Sequence, residues 1–150
     1  MNILFVCTGN SCRSPMAEVA MRCLAHRRGA QDVHVDSAGV SALDGMTMTD
    51  EAKEALEAEG FSVQPEPRSA ALRAPHVEWA DLIVVMTAEH RREVLRRFPD
   101  SADKVRTLLS WSNKVPDADV ADPVGLPFSS YRRCLKQMLP AIQALLDDVQ

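Results

Sequence analysis

The side chains of Cys7 and Arg13, a thiol and a guanidinium, are separated by five residues near the N-terminus. They follow an apolar run at 3–6 that is typical of a buried strand, and they lead into Ser14 and Pro15, which are typical of a helix start. A loop at a helix N-terminus has free backbone N–H groups that bind a tetrahedral oxyanion, and a guanidinium donates to the same oxygens. The positive field of such a loop favours the thiolate form of a neighbouring cysteine. The sequence therefore predicts a nucleophile that faces a phosphate-binding loop.

The predicted phosphate-binding loop consists of Thr8, Gly9, Asn10, Ser11, Cys12, Arg13 and Ser14. Taken alone, Cys7 is more typical of a small buried side chain at the end of a strand. The combination of a thiol, a glycine, an asparagine, an arginine and a serine at one strand–helix junction instead favours an anion-binding site.

The composition is that of one globular domain. The chain has 150 residues with 17 basic and 21 acidic side chains, and no lysine- or arginine-rich block, so we expect no binding to nucleic acid. No apolar run reaches the ~20 residues that span a bilayer, and the chain begins directly with the strand rather than with a signal peptide. We therefore expect a cytoplasmic protein without membrane contact.

The cysteines and histidines do not form a metal-binding pattern. The four cysteines include no C-x-x-C pair, and the four histidines, His26, His34, His76 and His90, are scattered along the chain. We expect reduced thiols, histidines on surfaces or half-buried faces, and no metal or cofactor.

Segments typical of strands and of helices alternate, which predicts an α/β fold with a parallel sheet. The predicted strands cover 2–6, 33–36, 81–86 and 104–108, and the predicted helices cover 14–28, 48–59, 88–98 and 129–148. A short helix is expected within 70–79, interrupted by Pro75, and Pro140 is expected to kink the last helix or to mark a new start. No linker divides the chain, so a single domain is expected over 1–150.

An acid is expected on the loop after the fourth strand. A parallel sheet binds ligands at the carboxyl ends of its strands, and this loop, of about 20 residues, is long enough to carry function. A thiolate that attacks phosphorus needs an acid to protonate the group that leaves. Asp122, which the stiff Pro123 follows, is the best candidate, and Asp117 and Asp119 are its competitors.

The motif Cys7-x5-Arg13-Ser14-Pro15, together with Asp36-Ser37-Ala38-Gly39 and Asp122-Pro123, resembles the low-molecular-weight protein tyrosine phosphatase family over essentially the whole chain. The resemblance implies a three-layer fold, in which helices flank a four-stranded parallel sheet and the phosphate-binding loop follows strand one. It also implies a two-step hydrolysis through a cysteinyl-phosphate, with phosphorylated proteins as substrates and inorganic phosphate as product.

Family roles are carried over position by position. Cys7 is the implied nucleophile, Arg13 and the loop N–H groups bind the phosphoryl oxygens, and Asp122 is the acid and then the base. The resemblance also implies that Ser14 stabilises the thiolate and that Asn10 braces the loop.

A second cysteine beside the nucleophile forms a reversible disulfide in this family, which protects the nucleophile from overoxidation, and the resemblance assigns that role to Cys12. A second interpretation, in which Cys12 fills the seam between helix and sheet, stays open. Cys23 and Cys134 lie on helical patterns and are expected to be packing residues.

The predicted substrate rim differs from the pattern of tyrosine-specific members. A small hydroxyl side chain, Ser11, stands where they carry a bulky aliphatic residue, and the other rim positions are Leu43, Val124 and Phe128. Besides Phe128, only Trp111 is expected near enough to stack on a phenyl ring.

The bacterial protein-arginine phosphatase branch of the family is similar to this chain at Cys7-Thr8-Gly9-Asn10 and at Asp122-Pro123-x-Gly125. That branch has threonine where Ser11 stands, so the hydroxyl is kept and a methyl group is lost. Phosphotyrosine and phosphoarginine both stay open as substrates.

The loop is also similar to that of thioredoxin-coupled arsenate reductases, whose substrate has the shape of phosphate. Such a reductase needs resolving cysteines that receive the disulfide, and in that family they follow the third strand. The corresponding residues here, 86–90, include no cysteine, and Pro15 stands where that family has glutamine. Protein phosphatase is therefore the prediction, and arsenate reductase is the alternative.

Overall fold

The computed structural model describes residues 1–112 and 118–150. The strands are β1 (Asn2–Cys7), β2 (His34–Gly39), β3 (Leu82–Val85) and β4 (Val105–Thr107), and the helices are α1 (Arg13–Arg27), α2 (Asp50–Ala58), α3 (Ala74–Trp79), α4 (Ala88–Arg97) and α5 (Phe128–Val149). The strands form one parallel sheet in the order β2-β1-β3-β4. Two 3₁₀ turns, Pro99–Lys104 and Leu108–Trp111, flank β4.

β1 lies inside the sheet because its side chains are apolar on both faces. It pairs with β2 on one side and with β3 on the other, and its residues 3–6 are completely buried. The pairing places Cys7 beside Gly39 and Val6 beside Val85. The carboxyl ends of three strands therefore meet around the predicted phosphate-binding loop.

Helices cover both faces of the sheet. Ile3 and Phe5 point into a core shared with α1, α2 and α5, whereas Leu4 and Val6 point into a second core shared with α3 and α4. The predicted three-layer α/β fold with a four-stranded parallel sheet is thereby confirmed. Among the described residues, no helix has both the length and the apolar character of a membrane span.

The structure corrects three predicted elements. β2 continues to Gly39 rather than ending at 36, since Ser37 is buried beside β1. Pro75 lies in the first turn of α3, where a missing N–H is tolerated, so it does not interrupt that helix. Pro140 lies inside α5, which continues without a new start. Pro140 and Lys136 are both on the exposed side of α5, so the carbonyl that loses its hydrogen bond to residue 140 belongs to an exposed residue.

Gly39 is a point of close approach between β2 and the phosphate-binding loop. A Cβ atom at this position would lie 2.4 Å from the Thr8 carbonyl oxygen and 2.9 Å from the Asn10 nitrogen. Both atoms belong to the backbone, so neither moves without moving the loop. The loop therefore packs directly on the end of β2 because residue 39 has no side chain.

We expect Gly39→Ala to lower the free energy of unfolding by about 1–3 kcal/mol, the usual cost of overpacking. Urea unfolding followed by circular dichroism measures this value. Gly9→Ala is the matched control, because a Cβ at Gly9 would be 3.6 Å from its nearest neighbour, the Ser11 hydroxyl. Equal losses in the two variants would contradict the close approach at Gly39.

Candidate active site

The phosphate-binding loop joins the end of β1 to the start of α1. Cys7 is the last residue of β1 and is buried, and Arg13 is the first residue of α1. Between them, Asn10 has a left-handed backbone with a φ of 51°, which asparagine adopts more readily than most residues. A left-handed residue bends a loop into the concave backbone that binds anions. The bend at Asn10 therefore suits an anion-binding loop, and phosphate binding by these residues stays a prediction.

The Cys7 sulfur lies 2.9 Å from the Ser14 hydroxyl oxygen. That oxygen already accepts an N–H from the Asn10 carboxamide at 2.7 Å, so the hydroxyl proton points elsewhere. The nearest alternative acceptor, the Ala38 carbonyl, is farther away, at 3.4 Å. The geometry therefore suits donation of a hydrogen bond from Ser14 to the sulfur.

The Asn10 carboxamide holds the loop against two other segments. Its nitrogen donates to the hydroxyls of Ser14 and Ser37, at 2.7 and 2.9 Å, and its oxygen accepts the Ala70 N–H at 2.9 Å. Asn10 is buried, so these bonds are made away from water, where they are electrostatically stronger. Three contacts from one side chain thus fix the position of the loop.

The Arg13 guanidinium is fixed at the mouth of the loop. Its Nη1 donates to the Val120 carbonyl at 3.1 Å, and its Nη2 donates to the Thr8 hydroxyl at 3.4 Å. Nη2 also lies 3.5 Å from the Asp122 carboxylate. Only 5% of Arg13 is exposed, and its buried Nε has no partner among the described residues. A buried guanidinium with an unpaired N–H is well suited to an anion with several oxygens.

Asp122 is the predicted acid that the structure places at the site. Its carboxylate lies near Arg13, is half exposed, and accepts the Val124 N–H at 3.1 Å. Asp119 instead accepts the Ala88 N–H at 2.8 Å, at the start of α4. Asp117 lies outside the described residues.

His90 differs from the sequence expectation. It is buried rather than on a surface or half-buried face, and its Nε2 lies 2.8 Å from the Thr8 hydroxyl oxygen. Burial lowers the pKa of His90 to about 4, and the nearby Arg13 acts in the same direction. The imidazole is therefore neutral at neutral pH and contacts Thr8 without adding charge. Its position just after β3, at the ligand-binding edge, was the available sequence signal.

All four cysteines are free thiols. Besides Cys7, Cys12 and Cys134 are buried. Burial raises the pKa of the Cys12 thiol to about 12, and the neighbouring Cys7 acts in the same direction. Burial likewise raises the pKa of Cys134 to about 12; Cys134 packs in the core, and its sulfur lies 3.7 Å from the Ala121 carbonyl oxygen. Cys23 is half-buried against the same core. A disulfide between Cys7 and Cys12 stays a prediction.

The predicted rim residues come from the loop itself and from two flanking segments. Ser11 is half-buried, and Phe128 begins α5 and packs partly on the core. More than half of the surface is exposed for four apolar side chains in the two flanking loops: Leu43, Met46, Val124 and Leu126. Leu43 and Val124 are among the predicted rim residues, and their role at the rim stays a prediction.

Trp111 does not lie where the sequence analysis expected it. Its ring stacks on the Arg106 guanidinium at 3.8 Å, and its indole N–H donates to Asp148 at 3.2 Å. Asp148 is near the C-terminal end of α5, roughly 30 Å along the helix from Phe128 at 1.5 Å per residue. Trp111 is therefore far from the predicted rim and cannot stack on a substrate there.

A thiol at the base of a loop that suits an anion, with a guanidinium and a carboxyl group beside it, is the arrangement that a cysteine-dependent phosphatase needs. Residues 2–150 match the family described as low molecular weight phosphotyrosine protein phosphatase, and the chain belongs to that family.

Named relatives of this chain include enzymes of two specificities. It is 37% identical over 148 residues to a protein-arginine-phosphatase from Geobacillus stearothermophilus, covering 99% of this chain and 95% of the relative. It is 32% identical to the low molecular weight protein-tyrosine-phosphatase PtpB from Staphylococcus haemolyticus, covering 97% of each chain. Its fold matches a mutant YwlE arginine phosphatase with a phosphorylated active-site serine, with a TM-score of 0.92, 34% identity and coverage of 99% and 95%.

The predicted family and enzyme class are therefore confirmed, and the chain is a protein phosphatase. A phosphorylated serine in the active site of the YwlE mutant fits a mechanism in which the family's cysteine carries the phosphoryl group.

Glu18, in α1, is a buried carboxyl near this site. It is 8% exposed, accepts the Ser37 hydroxyl at 2.6 Å, and lies 3.9 Å from Arg22. Burial raises the pKa of Glu18 from 4.5 to about 7; nearby Asp36 also raises it, against the lowering effects of Ser37 and Arg22. The folded state therefore favours the protonated carboxyl, whereas the unfolded chain ionises it at lower pH.

We expect the stabilisation from protonated Glu18 to be present below pH 4.5 and to be lost as the pH rises through 7, since its folded pKa is about 7. Over that interval, the free energy of unfolding should fall by roughly 3 kcal/mol relative to Glu18→Gln, which does not titrate. Urea unfolding of both proteins at several pH values between 4 and 8 measures the difference. Parallel pH curves would show that Glu18 titrates at its ordinary pKa.

Proposed function

We propose that this chain hydrolyses phosphorylated protein side chains through a phosphorylated Cys7. The carrying observation is that the Cys7 sulfur lies 2.9 Å from the Ser14 hydroxyl, at the base of an oxyanion-binding loop. In the first step the Cys7 thiolate attacks phosphorus, the bond from phosphorus to the substrate atom breaks, and Asp122 donates a proton to that atom. In the second step water attacks phosphorus, Asp122 takes a proton from the water, and the phosphorus–sulfur bond breaks. Inorganic phosphate leaves, and the Cys7 thiolate is regenerated.

Arg13 supplies the charge stabilisation in this proposal. Phosphoryl transfer passes through a loose transition state with charge spread over three oxygens, so catalysis depends on positioned donors. The bonds from Arg13 to Val120 and Thr8 hold the guanidinium in place before the substrate arrives. Little reorganisation is then needed when the reaction occurs.

Phosphoarginine is the proposed substrate class. Ser11, small and half-buried in the loop, leaves room for a branched guanidinium. One oxygen of the half-exposed Asp122 carboxyl accepts a charge-assisted hydrogen bond from such a group, while the other oxygen carries the proton that the first step needs. The location of Trp111 at the far end of α5 removes one of the two expected aromatic walls. The protein-arginine-phosphatases among the relatives support the same assignment.

Phosphotyrosine is the second candidate. Exposed Leu43 and Val124 provide apolar surface that suits a phenyl ring, and PtpB is a protein-tyrosine-phosphatase. Arsenate reduction is less well supported, because the residues after β3, Met86 to His90, include no cysteine to resolve a disulfide. A thiol nucleophile must stay reduced, so we also propose that the enzyme acts in the cytoplasm.

We expect Asp122→Asn to lower kcat/KM about 10²–10⁴-fold for phenyl phosphate and much less for nitrophenyl phosphate. Phenolate is a poor leaving group that needs the proton, whereas nitrophenolate leaves without it. Because kcat/KM reports the first step, the second step does not obscure the comparison. Asp119→Asn is the matched control, since that carboxylate holds the start of α4, and its effect should be equal on both substrates. Equal losses in Asp122→Asn would remove Asp122 from the acid role.

We expect wild-type enzyme to have a larger kcat/KM for a phosphoarginine peptide than for a phosphotyrosine peptide with the same flanking residues. Ser11→Ile should shift the ratio of these constants toward phosphotyrosine by about 1–3 kcal/mol. A bulky aliphatic side chain narrows the opening of the site, so that a flat phenyl ring fits better than a branched guanidinium.

Ser11→Thr is the control for this substitution, because it adds only a methyl group and should keep the preference for phosphoarginine. An unchanged ratio in Ser11→Ile, with both substrates impaired alike, would show that Ser11 acts only within its own loop. Phosphotyrosine would then be the default substrate.

A further inference from the structure

The carboxyl of Glu18 is connected to the nucleophile by a continuous chain of hydrogen bonds. The Ser37 hydroxyl lies 2.6 Å from Glu18 Oε1 and 2.9 Å from the Asn10 carboxamide nitrogen. The same nitrogen lies 2.7 Å from the Ser14 hydroxyl, which lies 2.9 Å from the Cys7 sulfur. All five residues are buried, so solvent does not compete for these bonds.

The direction of each donor in this chain follows from the acceptor at its end. The Ser37 hydroxyl donates to Glu18 Oε1 at 2.6 Å, an oxygen that accepts both in the ionised carboxylate and in a carboxyl whose proton is on Oε2. The Ser37 oxygen then accepts one N–H of Asn10, and the other N–H goes to the Ser14 oxygen. The Ser14 hydroxyl must therefore donate its own proton to a group other than the Asn10 carboxamide.

Two acceptors are available to that proton. The Cys7 sulfur is at 2.9 Å and the Ala38 carbonyl is at 3.4 Å, so the sulfur is favoured. The Ala70 N–H, which donates to Asn10 Oδ1 at 2.9 Å, holds the carboxamide in the orientation that this arrangement needs.

We propose that Glu18 is a positioning residue, whose oxygen orients Ser37 and Asn10 so that the Ser14 hydroxyl donates to Cys7. The proposal rests on the proposed role of Cys7 as nucleophile. It adds a carboxyl that does not touch the substrate and that the mechanism above does not use.

Loss of the acceptor at position 18 permits the opposite arrangement. The Ser37 proton is then buried without a partner, which is costly. Rotation of the Asn10 carboxamide by half a turn relieves this cost, because its oxygen then accepts from both Ser37 and Ser14. The Ser14 proton is turned away from Cys7 in that arrangement. The rotation loses the bond from Ala70, so the two arrangements compete.

Two charged groups act on Glu18, one from each element packed there. Arg22 of α1 lies 3.9 Å from its Oε2, and Asp36 of β2 opposes its ionisation. The raised pKa of Glu18 means that protonated and ionised forms both occur near neutral pH. Ser37 donates to Oε1 in either form if the carboxyl proton is on Oε2, so the acceptor is kept.

The test compares Glu18→Leu, which removes the acceptor, with Glu18→Gln, which keeps an acceptor oxygen of similar size. The readout is the rate at which iodoacetamide alkylates Cys7 in the absence of substrate, measured against pH. We expect Glu18→Leu to slow alkylation and to lower kcat/KM about tenfold each, the worth of one oriented hydrogen bond. Glu18→Gln should keep both the alkylation rate and kcat/KM close to the wild-type values. Arg22→Gln, which removes only the neighbouring charge, controls for electrostatic effects.

A role confined to packing would lower the unfolding temperature of Glu18→Leu and leave the alkylation rate of its folded fraction unchanged, which would overturn the proposal. Faster alkylation in Glu18→Leu would also overturn it, since that result indicates repulsion between two anions. The double variant Ser37→Ala with Glu18→Leu should react like Ser37→Ala alone, because the chain is already broken. An added loss in the double variant would mean that Glu18 acts by another route.

Alkylation at Cys7 needs no phosphatase substrate, so this test is separate from the proposed function. The results for Asp122→Asn or Ser11→Ile could contradict the proposed function while Glu18→Leu still slows alkylation. In that case Glu18 positions a reactive thiol, and the proposed reaction of that thiol is wrong. If the reverse occurs, the phosphatase mechanism stands without Glu18.

Discussion

The left-handed backbone and the carboxamide of Asn10 form the constraint on which the rest of the site depends. A φ of 51° turns the loop back toward β2, and the carboxamide then bonds to Ser14, Ser37 and Ala70. The turn is possible because Gly39 leaves no side chain in the space that the loop occupies. The positions of Cys7 and Arg13 are set by this turn, because the two residues lie on either side of it.

The fold and the base of the site were predictable because their signals are local. An apolar run followed by a cysteine, a glycine and an arginine indicates a buried strand that ends at an anion-binding loop. Alternation of strand and helix patterns indicates a parallel sheet, and the carboxyl ends of its strands then meet at one edge. Asp122 needed the family resemblance in addition, because an Asp-Pro pair alone is common in turns.

Other features could not be predicted because they depend on contacts between distant parts of the chain. His90 is buried where it meets Thr8, 82 residues earlier; its position after β3 indicates the edge of the sheet at which it lies, but not this contact. Trp111 was expected at the mouth from its position in the loop, but it pairs with Asp148, 37 residues later. Asp119 contacts the start of α4, whereas Asp122 lies near Arg13. Sequence spacing does not predict either contact, so it does not distinguish the two carboxylates.

The strand order has a consequence for how the molecule acquires its activity. β1 must be flanked by β2 and by β3, which begins 75 positions after β1 ends, and Arg13 is fixed only when it meets Val120, 107 residues away. Contacts of such large sequence separation close slowly, because the entropy of closing long loops is lost before the contacts form. Helices and the first strand pair form from nearer segments. We therefore expect the return of activity during refolding to follow the docking of the segment around Val120 and to come after the recovery of helical structure.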